Sequence, residues 1–212
     1  MKNKRTFQNW CGLFGVLSFI SYTIAVVFAP LVYPGYNWMA QAVSDLSAAN
    51  APSLSLWNQL NCLYGTGGIV CCMMACAWIQ GSGNKVLCAG IYLFTAMNWV
   101  SCVGFTMFPL SDSGYAGTFQ DVMHMVLTVG VVILSVSSLV CLIIGSRKER
   151  EYRLLGIGAG IALIMMLAGP ILMNLIPHEY FGIVERFSVF AAAGYNGVLG
   201  IWLFHAGKEK GN

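Results

Sequence analysis

Six long apolar runs, separated by short polar stretches, limit what this chain can fold into. They cover residues of about 11–33, 54–80, 86–108, 119–145, 153–176 and 181–205. Each run reaches the roughly 20 residues that a helix needs to cross about 30 Å of hydrocarbon. Because unpaired backbone groups are costly in lipid, each run is expected to form a helix. We therefore predict an all-α fold, a polytopic transmembrane bundle of six helices that forms a single domain over residues 1–212.

The scarcity of charge supports a membrane environment. Only 9% of the residues are charged and 58% are hydrophobic, whereas a soluble domain carries about 25% charged residues. The formal net charge of +3 is what basic loops on one membrane face produce, and no basic-aromatic patch or phosphate-binding loop accompanies it. Nucleic acid is therefore not an expected partner. The expected partner is a membrane lipid or an amphiphilic small molecule, and the sequence leaves the oligomeric state open.

The basic residues predict how the bundle is oriented. Lys and Arg accumulate in short cytoplasmic loops, and six spans place both termini on one side. In this topology every basic residue except Arg186 falls on the side of the termini, which is therefore predicted to be cytoplasmic. The ten are Lys2, Lys4, Arg5, Lys85, Arg147, Lys148, Arg150, Arg153, Lys208 and Lys210. A multi-pass protein of the cell (plasma) membrane is expected.

Polar side chains concentrate near the opposite, outer face in this topology. The short polar stretch Ala42–Ala48 follows the first run. Ionisable residues within spans are expensive, usually face the bundle interior and by default mark a function. We therefore predict an outward-facing polar pocket in the outer half of the bundle. Its candidate ligand-binding residues are Ser44, Asp45, Asn58, Asn61, Asn98 and Arg186.

Asp121 and His124 form the pair most typical of a catalytic site. Residues three apart share a helix face, and the imidazole titrates near neutral pH. In an enzyme, the catalytic residues would be His124 as general base, Asp121 as its orienting acid and Glu185. In the structural alternative, Asp121 stabilises the start of its helix and His124 bonds a neighbouring helix. Glu185 is expected to pair with His124, and Arg186 with Asp45 or Asp121.

The sequence signals for a metal site or for a nucleophilic serine are weak. A catalytic zinc needs three protein ligands and an open position, and no HExxH-like spacing surrounds His124, so no metal site is predicted and no cofactor is identified. Ser44 beside Asp45 is interpreted as a capping residue, with an activated nucleophile as the alternative. The cysteines all lie within or at the ends of apolar runs, where free Cys packs as a small hydrophobe: Cys11, Cys62, Cys71, Cys72, Cys76, Cys88, Cys102 and Cys141.

Several short motifs in this order resemble a known family. They are Ser44-Asp45-Leu46 closing at Pro52, Gly104 with Phe108-Pro109 and Asp112, His124, and Gly182-Ile-Val-Glu185-Arg186. Together they resemble the bacterial integral-membrane family called domain of unknown function 998, over nearly the whole chain. The resemblance implies six spanning helices in the cell membrane, with Ser44, Asp45, His124, Glu185 and Arg186 as matching positions. A looser likeness connects the chain to seven-helix membrane hydrolases such as alkaline ceramidases and adiponectin receptors, which carry three zinc histidines.

Three functions remain open at this point. In the first, the protein binds or moves a lipid or small amphiphile, with Arg186 on its head group. In the second, it is an intramembrane hydrolase or transferase that acts on a lipid-like substrate through a His/Asp site, with or without the assistance of a metal. In the third, it is a structural or accessory membrane subunit whose polar cluster fixes helix packing.

Overall fold

The computed structural model describes residues 5–173 and 175–207, and all secondary structure in these ranges is helical. Six stretches are long and apolar enough to cross a membrane, which confirms the predicted fold class. Short 3-10 helices occupy the connections. The α-helices are α1 (Phe7–Phe28), α2 (Leu54–Leu60), α3 (Tyr64–Ile79), α4 (Lys85–Met107), α5 (Phe119–Gly145), α6 (Arg153–Met173) and α7 (Phe181–His205).

The six spans form a closed ring. Consecutive spans pack against each other in the order α1, α3, α4, α5, α6 and α7, and α7 returns to α1. In addition, α3 touches α7 across the ring. Because α5 and α7 are separated by α6, side chains on α5 and α7 face different neighbours.

The ring has two ends, which we name by a residue at each. The Asp45 end carries the connections α1–α2, α4–α5 and α6–α7. The Arg150 end carries the connections α3–α4 and α5–α6 together with the start of α1 and the end of α7. Which end faces the cytoplasm stays a prediction, and four of the basic residues on which it rests lie outside the described residues: Lys2, Lys4, Lys208 and Lys210.

The first and last spans join tightly. Asn9 Nδ2 donates to the carbonyls of Leu203 at 2.7 Å and Ala206 at 3.1 Å. Gly12 faces the Gly200 carbonyl so closely that an added Cβ would collide with it. Small residues let helix backbones approach in this way. The closure of the ring therefore depends on direct backbone contact between α1 and α7.

The second span is interrupted, whereas the sequence predicts one continuous helix. α2 ends at Leu60 and α3 begins at Tyr64. Ser21 Oγ of α1 donates to the Leu60 carbonyl at 2.5 Å and accepts from the Leu63 N–H at 3.3 Å. Backbone groups freed inside a membrane protein need such partners. Contacts from α1 therefore stabilise the interruption. Residues 61–63 contain no glycine or proline from which it could have been predicted.

Pro170 lies inside α6, which continues to Met173. Proline has no N–H, so the carbonyl four residues earlier loses its helical donor. That carbonyl belongs to Met166, and Ser188 Oγ of α7 donates to it at 3.2 Å. Gly169 leaves room for Ser188 at this crossing. The neighbouring helix thus replaces the missing bond.

Candidate functional site

The connection from α1 to α2 covers part of the Asp45 end. We call Tyr33–Ser53 the cap segment. Its backbone is tied to α7 by the Ile183 N–H, which donates to the Met39 carbonyl at 3.2 Å. It is tied to the α4–α5 connection by the Ala49 N–H, which donates to the Leu110 carbonyl at 2.8 Å. The cap segment therefore bridges the start of α7 and the α4–α5 connection.

Glu185, in the second turn of α7, holds the middle of the cap segment. Its Oε2 accepts from the Val43 N–H at 3.2 Å. Val43 precedes the 3-10 helix Ser44–Ser47, so the carboxylate lies at the amino end of that helix, where negative charge is favourable. Val43 is itself buried in an apolar cluster with Trp57 of α2 and Tyr22 of α1. Glu185 thus connects the start of α7 to the packing between α1 and α2.

Arg186 binds the cap segment through neutral oxygens. Its Nη1 donates to the carbonyls of Gln41 at 3.0 Å and Gly182 at 2.7 Å. Its Nη2 donates to the Tyr36 hydroxyl at 2.8 Å, and that hydroxyl donates to the Ala42 carbonyl at 2.8 Å. Burial raises the pKa of Tyr36 to about 12 despite the opposing effect of the adjacent guanidinium. Tyr36, which lies just beyond the first apolar run, is therefore part of this network.

The predicted ion pairs do not form. Within the described ranges no ion pair joins Arg186 to Asp45 or Asp121, and no hydrogen bond joins Glu185 to His124. The pairs with Asp121 and His124 do not form because α5 and α7 are not neighbours in the ring. Asp45 lies in the cap segment near Arg186, but its carboxylate accepts from the Gly114 N–H, and the guanidinium donates to Gln41 and Tyr36 instead. His124 and Asp121 belong to the contact between α4 and α5, while Glu185 and Arg186 face the cap segment.

Asp45 ties the cap segment to the α4–α5 connection. Its side chain is 5% exposed, and Oδ1 accepts from the Gly114 N–H at 3.0 Å. Gly114 has a φ of 80°, a conformation that glycine adopts without strain. Burial raises the pKa of the Asp45 carboxyl, and the Gly114 N–H and the Arg186 guanidinium partly oppose this. Ser44 is half-buried beside it. The interpretation of Ser44 as a capping residue was wrong, because Val43 occupies the N-cap position of this 3-10 helix and no side-chain capping bond forms. In the described chain no hydrogen bond activates the Ser44 hydroxyl through Asp45 either.

Asp121 caps the start of α5. Its carboxylate accepts from the Ser111 N–H at 2.7 Å, from the Ser111 hydroxyl and from the Thr118 N–H at 3.0 Å, while Thr118 Oγ1 accepts from the Asp121 N–H. This is a capping box, in which two otherwise unpaired backbone donors are satisfied reciprocally. The spacing Thr118-x-x-Asp121 was visible in the sequence and could have identified this role.

His124 lies one turn further along α5 and is oriented by α4. Its Nδ1 is 3.0 Å from the Phe108 carbonyl, and its ring packs on Phe105 with centroids 4.8 Å apart. No hydrogen bond joins the imidazole to the Asp121 carboxylate in the described chain. The two side chains share a helix face, yet each has its own partners, so the geometry is not that of a base oriented by its acid.

The asparagines predicted to bind a ligand occupy three different environments. Asn58 is exposed. Asn98 is buried and donates to the Phe94 carbonyl at 3.0 Å. Asn61 lies at the interruption between α2 and α3, and its Oδ1 is buried without a hydrogen-bond partner among the described residues. Of the predicted set, Asn61 thus has a buried acceptor that the protein leaves unused.

A second group of polar side chains lies deeper in the bundle, where α1, α3, α4 and α7 meet. Ser18 Oγ donates to the Tyr64 carbonyl at 2.6 Å, and Asn196 Nδ2 lies 3.5 Å from Ser18 Oγ. Both side chains, with Asn98 Oδ1, approach Gly68, whose lack of a Cβ leaves room for them. Ser18 and Ser21 were not singled out from the sequence, because nothing distinguishes them there from other serines in apolar runs.

The Asp45 end has no metal-binding cluster among the described residues. No group of three or more His, Cys, Asp or Glu side chains in the described residues is arranged to hold a metal ion. A cavity of about 460 Å³ lies at the Arg150 end. The outward-facing polar pocket stays a prediction. Of its residues, Asp45 and Arg186 belong to the network of the cap segment, and Asn61 Oδ1 lies at the helix interruption.

Comparisons with known proteins give one match. The family described as "Protein of unknown function (DUF998)" matches residues 16–202. No curated protein and no solved structure matches the chain. The match covers most of the chain, including the cap segment, the interrupted second span and the Glu185–Arg186 pair. A multi-pass membrane architecture of six apolar helices and this match together mean that the chain belongs to the DUF998 family.

Proposed function

We propose that this protein binds, or moves across part of the membrane, a lipid or small amphiphile whose polar group enters at the Asp45 end. The observation that carries the proposal is the interruption of the second span beside a buried, unpartnered Asn61 Oδ1. Interrupted helices place free polar groups inside transporters at their substrate sites. A buried acceptor without a partner costs roughly 1–3 kcal/mol, a cost that a bound donor would remove.

Arg186 is the second support. Its guanidinium is charged at any physiological pH, and its hydrogen bonds go to carbonyl and hydroxyl oxygens. A charge in a membrane bundle is usually paired. An anionic head group arriving beneath the cap segment would supply the negative partner, provided that the contacts from Arg186 to Gln41 and Tyr36 open. The cap segment would then act as the gate of the site.

The enzyme alternative has less support. It needs His124 as a base oriented by Asp121, and Asp121 already accepts from Ser111 and Thr118 in the capping box. His124 is held by the Phe108 carbonyl. Glu185, the third catalytic candidate, faces the cap segment. A catalytic role would require all three side chains to leave their present partners.

The test compares two asparagines one turn apart. Asn61→Leu removes the orphaned acceptor with little change in volume, and Asn58→Leu changes an exposed side chain as the matched control. Each full-length protein is purified in mild detergent, and its bound amphiphiles are measured by native mass spectrometry and by lipid extraction. We expect Asn61→Leu to lower occupancy roughly 3- to 10-fold, the value of one hydrogen bond, while Asn58→Leu leaves it unchanged.

Stability separates binding from folding in this experiment. Because Asn61 Oδ1 has no partner in the described protein, Asn61→Leu is expected to leave the unliganded protein as stable as the wild type or more so. Lower occupancy together with lower stability would indicate a folding defect, and Arg186→Lys, which keeps the charge but loses the guanidinium fork, then serves as the second variant. Unchanged occupancy in both variants would refute the proposal.

A further inference from the structure

Three arginines surround a cavity at the end of the bundle opposite the proposed amphiphile site. The cavity has a volume of about 460 Å³ and lies between the end of α5 and the start of α6. A volume of this size is within the range of small-molecule sites. Its lining includes Arg147, Arg150 and Arg153, with Glu149 as the acidic residue.

We propose that this cavity binds an anionic phosphate group, and that the head group of a membrane phospholipid supplies it. The lining carries two more positive than negative charges. Basic pockets between transmembrane helices bind anionic head groups, because each cation near the membrane surface contributes favourably. Arginine in particular presents paired N–H donors that match phosphate oxygens. The site is independent of the Asp45 end and of the function proposed for it.

The arginines lack hydrogen-bond and ion-pair partners in the part of the chain that the structure describes. None of Arg147, Arg150 and Arg153 has a hydrogen bond or ion pair with another described residue, and all three are exposed. Glu149, although it lines the same cavity, pairs with none of them. Like charges held around one opening repel each other. A phosphate in the cavity would turn this repulsion into attraction and occupy donors that the chain leaves free.

A close helix contact contributes to the lining of the cavity. Gly156, in the first turn of α6, faces Ser146 at the end of α5, and a Cβ on Gly156 would collide with the Ser146 hydroxyl. Both residues line the cavity, and Ser146 Oγ donates to the Ile143 carbonyl at 3.1 Å. The start of α6 therefore lies at the cavity, and the amino end of a helix favours anions.

The walls favour a lipid over free phosphate. Ile143 and Ile157 complete the lining, and Ile157 is 52% exposed. The two isoleucines lie in α5 and α6, within two of the apolar spans. A head group held by the arginines would place the first carbons of its acyl chains against these side chains. Inorganic phosphate would leave the apolar part of the lining uncovered.

The test uses two matched double variants of the full-length protein. Arg150→Gln/Arg153→Gln removes two charges from the cavity, and Lys85→Gln/Lys148→Gln removes two charges from the same end of the bundle, outside the lining. Each protein in mild detergent is titrated with phosphatidylglycerol, with phosphatidylcholine and with inorganic phosphate. Binding is measured by native mass spectrometry, and size-exclusion chromatography checks that each variant is folded.

We expect the arginine variant to bind phosphatidylglycerol about 25-fold more weakly than the wild type, since each lost hydrogen bond from a lining arginine to the head group is worth roughly fivefold. The affinity of the lysine variant for phosphatidylglycerol should stay within about twofold of that of the wild type, which is the margin of such a titration. An arginine-dependent response to inorganic phosphate alone would identify free phosphate as the source. Equal losses in both double variants, or none in either, would overturn the proposal. So would equal affinity for phosphatidylcholine in the wild type, because a net negative head group would then not be required.

Discussion

Replacing Ser21 by alanine should destabilise the protein without touching the charged residues of the Asp45 end. Ser21 Oγ serves both free backbone groups at the interruption of the second span, the Leu60 carbonyl and the Leu63 N–H. Ser21 is buried, with 6% of its surface exposed, so water cannot easily replace it. Alanine leaves one acceptor and one donor unpaired in the interior of the bundle.

The size of the effect follows from the two orphaned groups. Each buried backbone group without a partner costs roughly 1–3 kcal/mol, and the chain can relax somewhat at a helix break, so we expect a loss of about 2–4 kcal/mol. For a chain of this length a loss of 1 kcal/mol lowers the melting temperature by about 2–4 °C. The expected decrease in Tm is therefore about 4–16 °C.

The assay is unfolding in detergent micelles, by heat and by added SDS, followed by circular dichroism. Ser135→Ala is the matched control, because Ser135 Oγ of α5 is also buried but has no hydrogen-bond partner among the described residues. That substitution should leave stability unchanged or raise it. If Ser21→Ala unfolds at the same temperature as the wild type, Ser21 does not hold the interruption and the physical account of the second span fails.

Three further predictions test the Asp45 end. Gly182→Ala places a Cβ against backbone carbonyls of the cap segment and should lower Tm by at least about 4 °C. Gly160→Ala is the control, because open space surrounds Gly160 and Tm should not change; equal melting temperatures of the two variants would count against the close contact. Asp121→Asn should cost about 1–3 kcal/mol in thermal unfolding but leave bound lipid unchanged; lost lipid at unchanged stability would instead support a chemical role. Because burial raises the pKa of Asp45 above its ordinary 3.8, its contribution to stability is complete below that pH and declines as pH rises through the higher folded pKa. The Tm of the wild type relative to that of Asp45→Asn should fall over this range, and parallel pH profiles would contradict the assignment.

Hydrophobic run length predicted the number and approximate limits of the spans, because the thickness of a bilayer sets a minimum helix length. It could not predict the ring order, since all six helices are apolar on nearly every side. Run length also failed to predict the interruption at residues 61–63. Its cause lies in Ser21 of another helix, which is a tertiary interaction without a local signal such as proline.

For the polar residues too, the end of the bundle was predictable from the sequence and the interaction partners were not. The sequence placed Asp45, Glu185 and Arg186 at one end of the bundle, and the structure brings all three to the cap segment. Their partners were predicted as other charged side chains, and they proved to be mainly backbone N–H groups and carbonyls. Oppositely charged side chains can be proposed as a pair from the sequence alone, whereas backbone partners depend on how a connection folds over the helices.

The contact between α1 and α7 has a consequence for how the protein is made. α1 is synthesised before α7, yet Asn9 bonds directly to the end of α7. Until α7 enters the membrane, the side of α1 that carries Asn9 and Gly12 lacks its neighbour in the ring. The nascent chain therefore passes through a stage in which a polar helix face must be shielded by the insertion machinery or by lipid head groups. Truncation before residue 181 should leave α1 vulnerable to extraction and proteolysis, even though all its own residues are present.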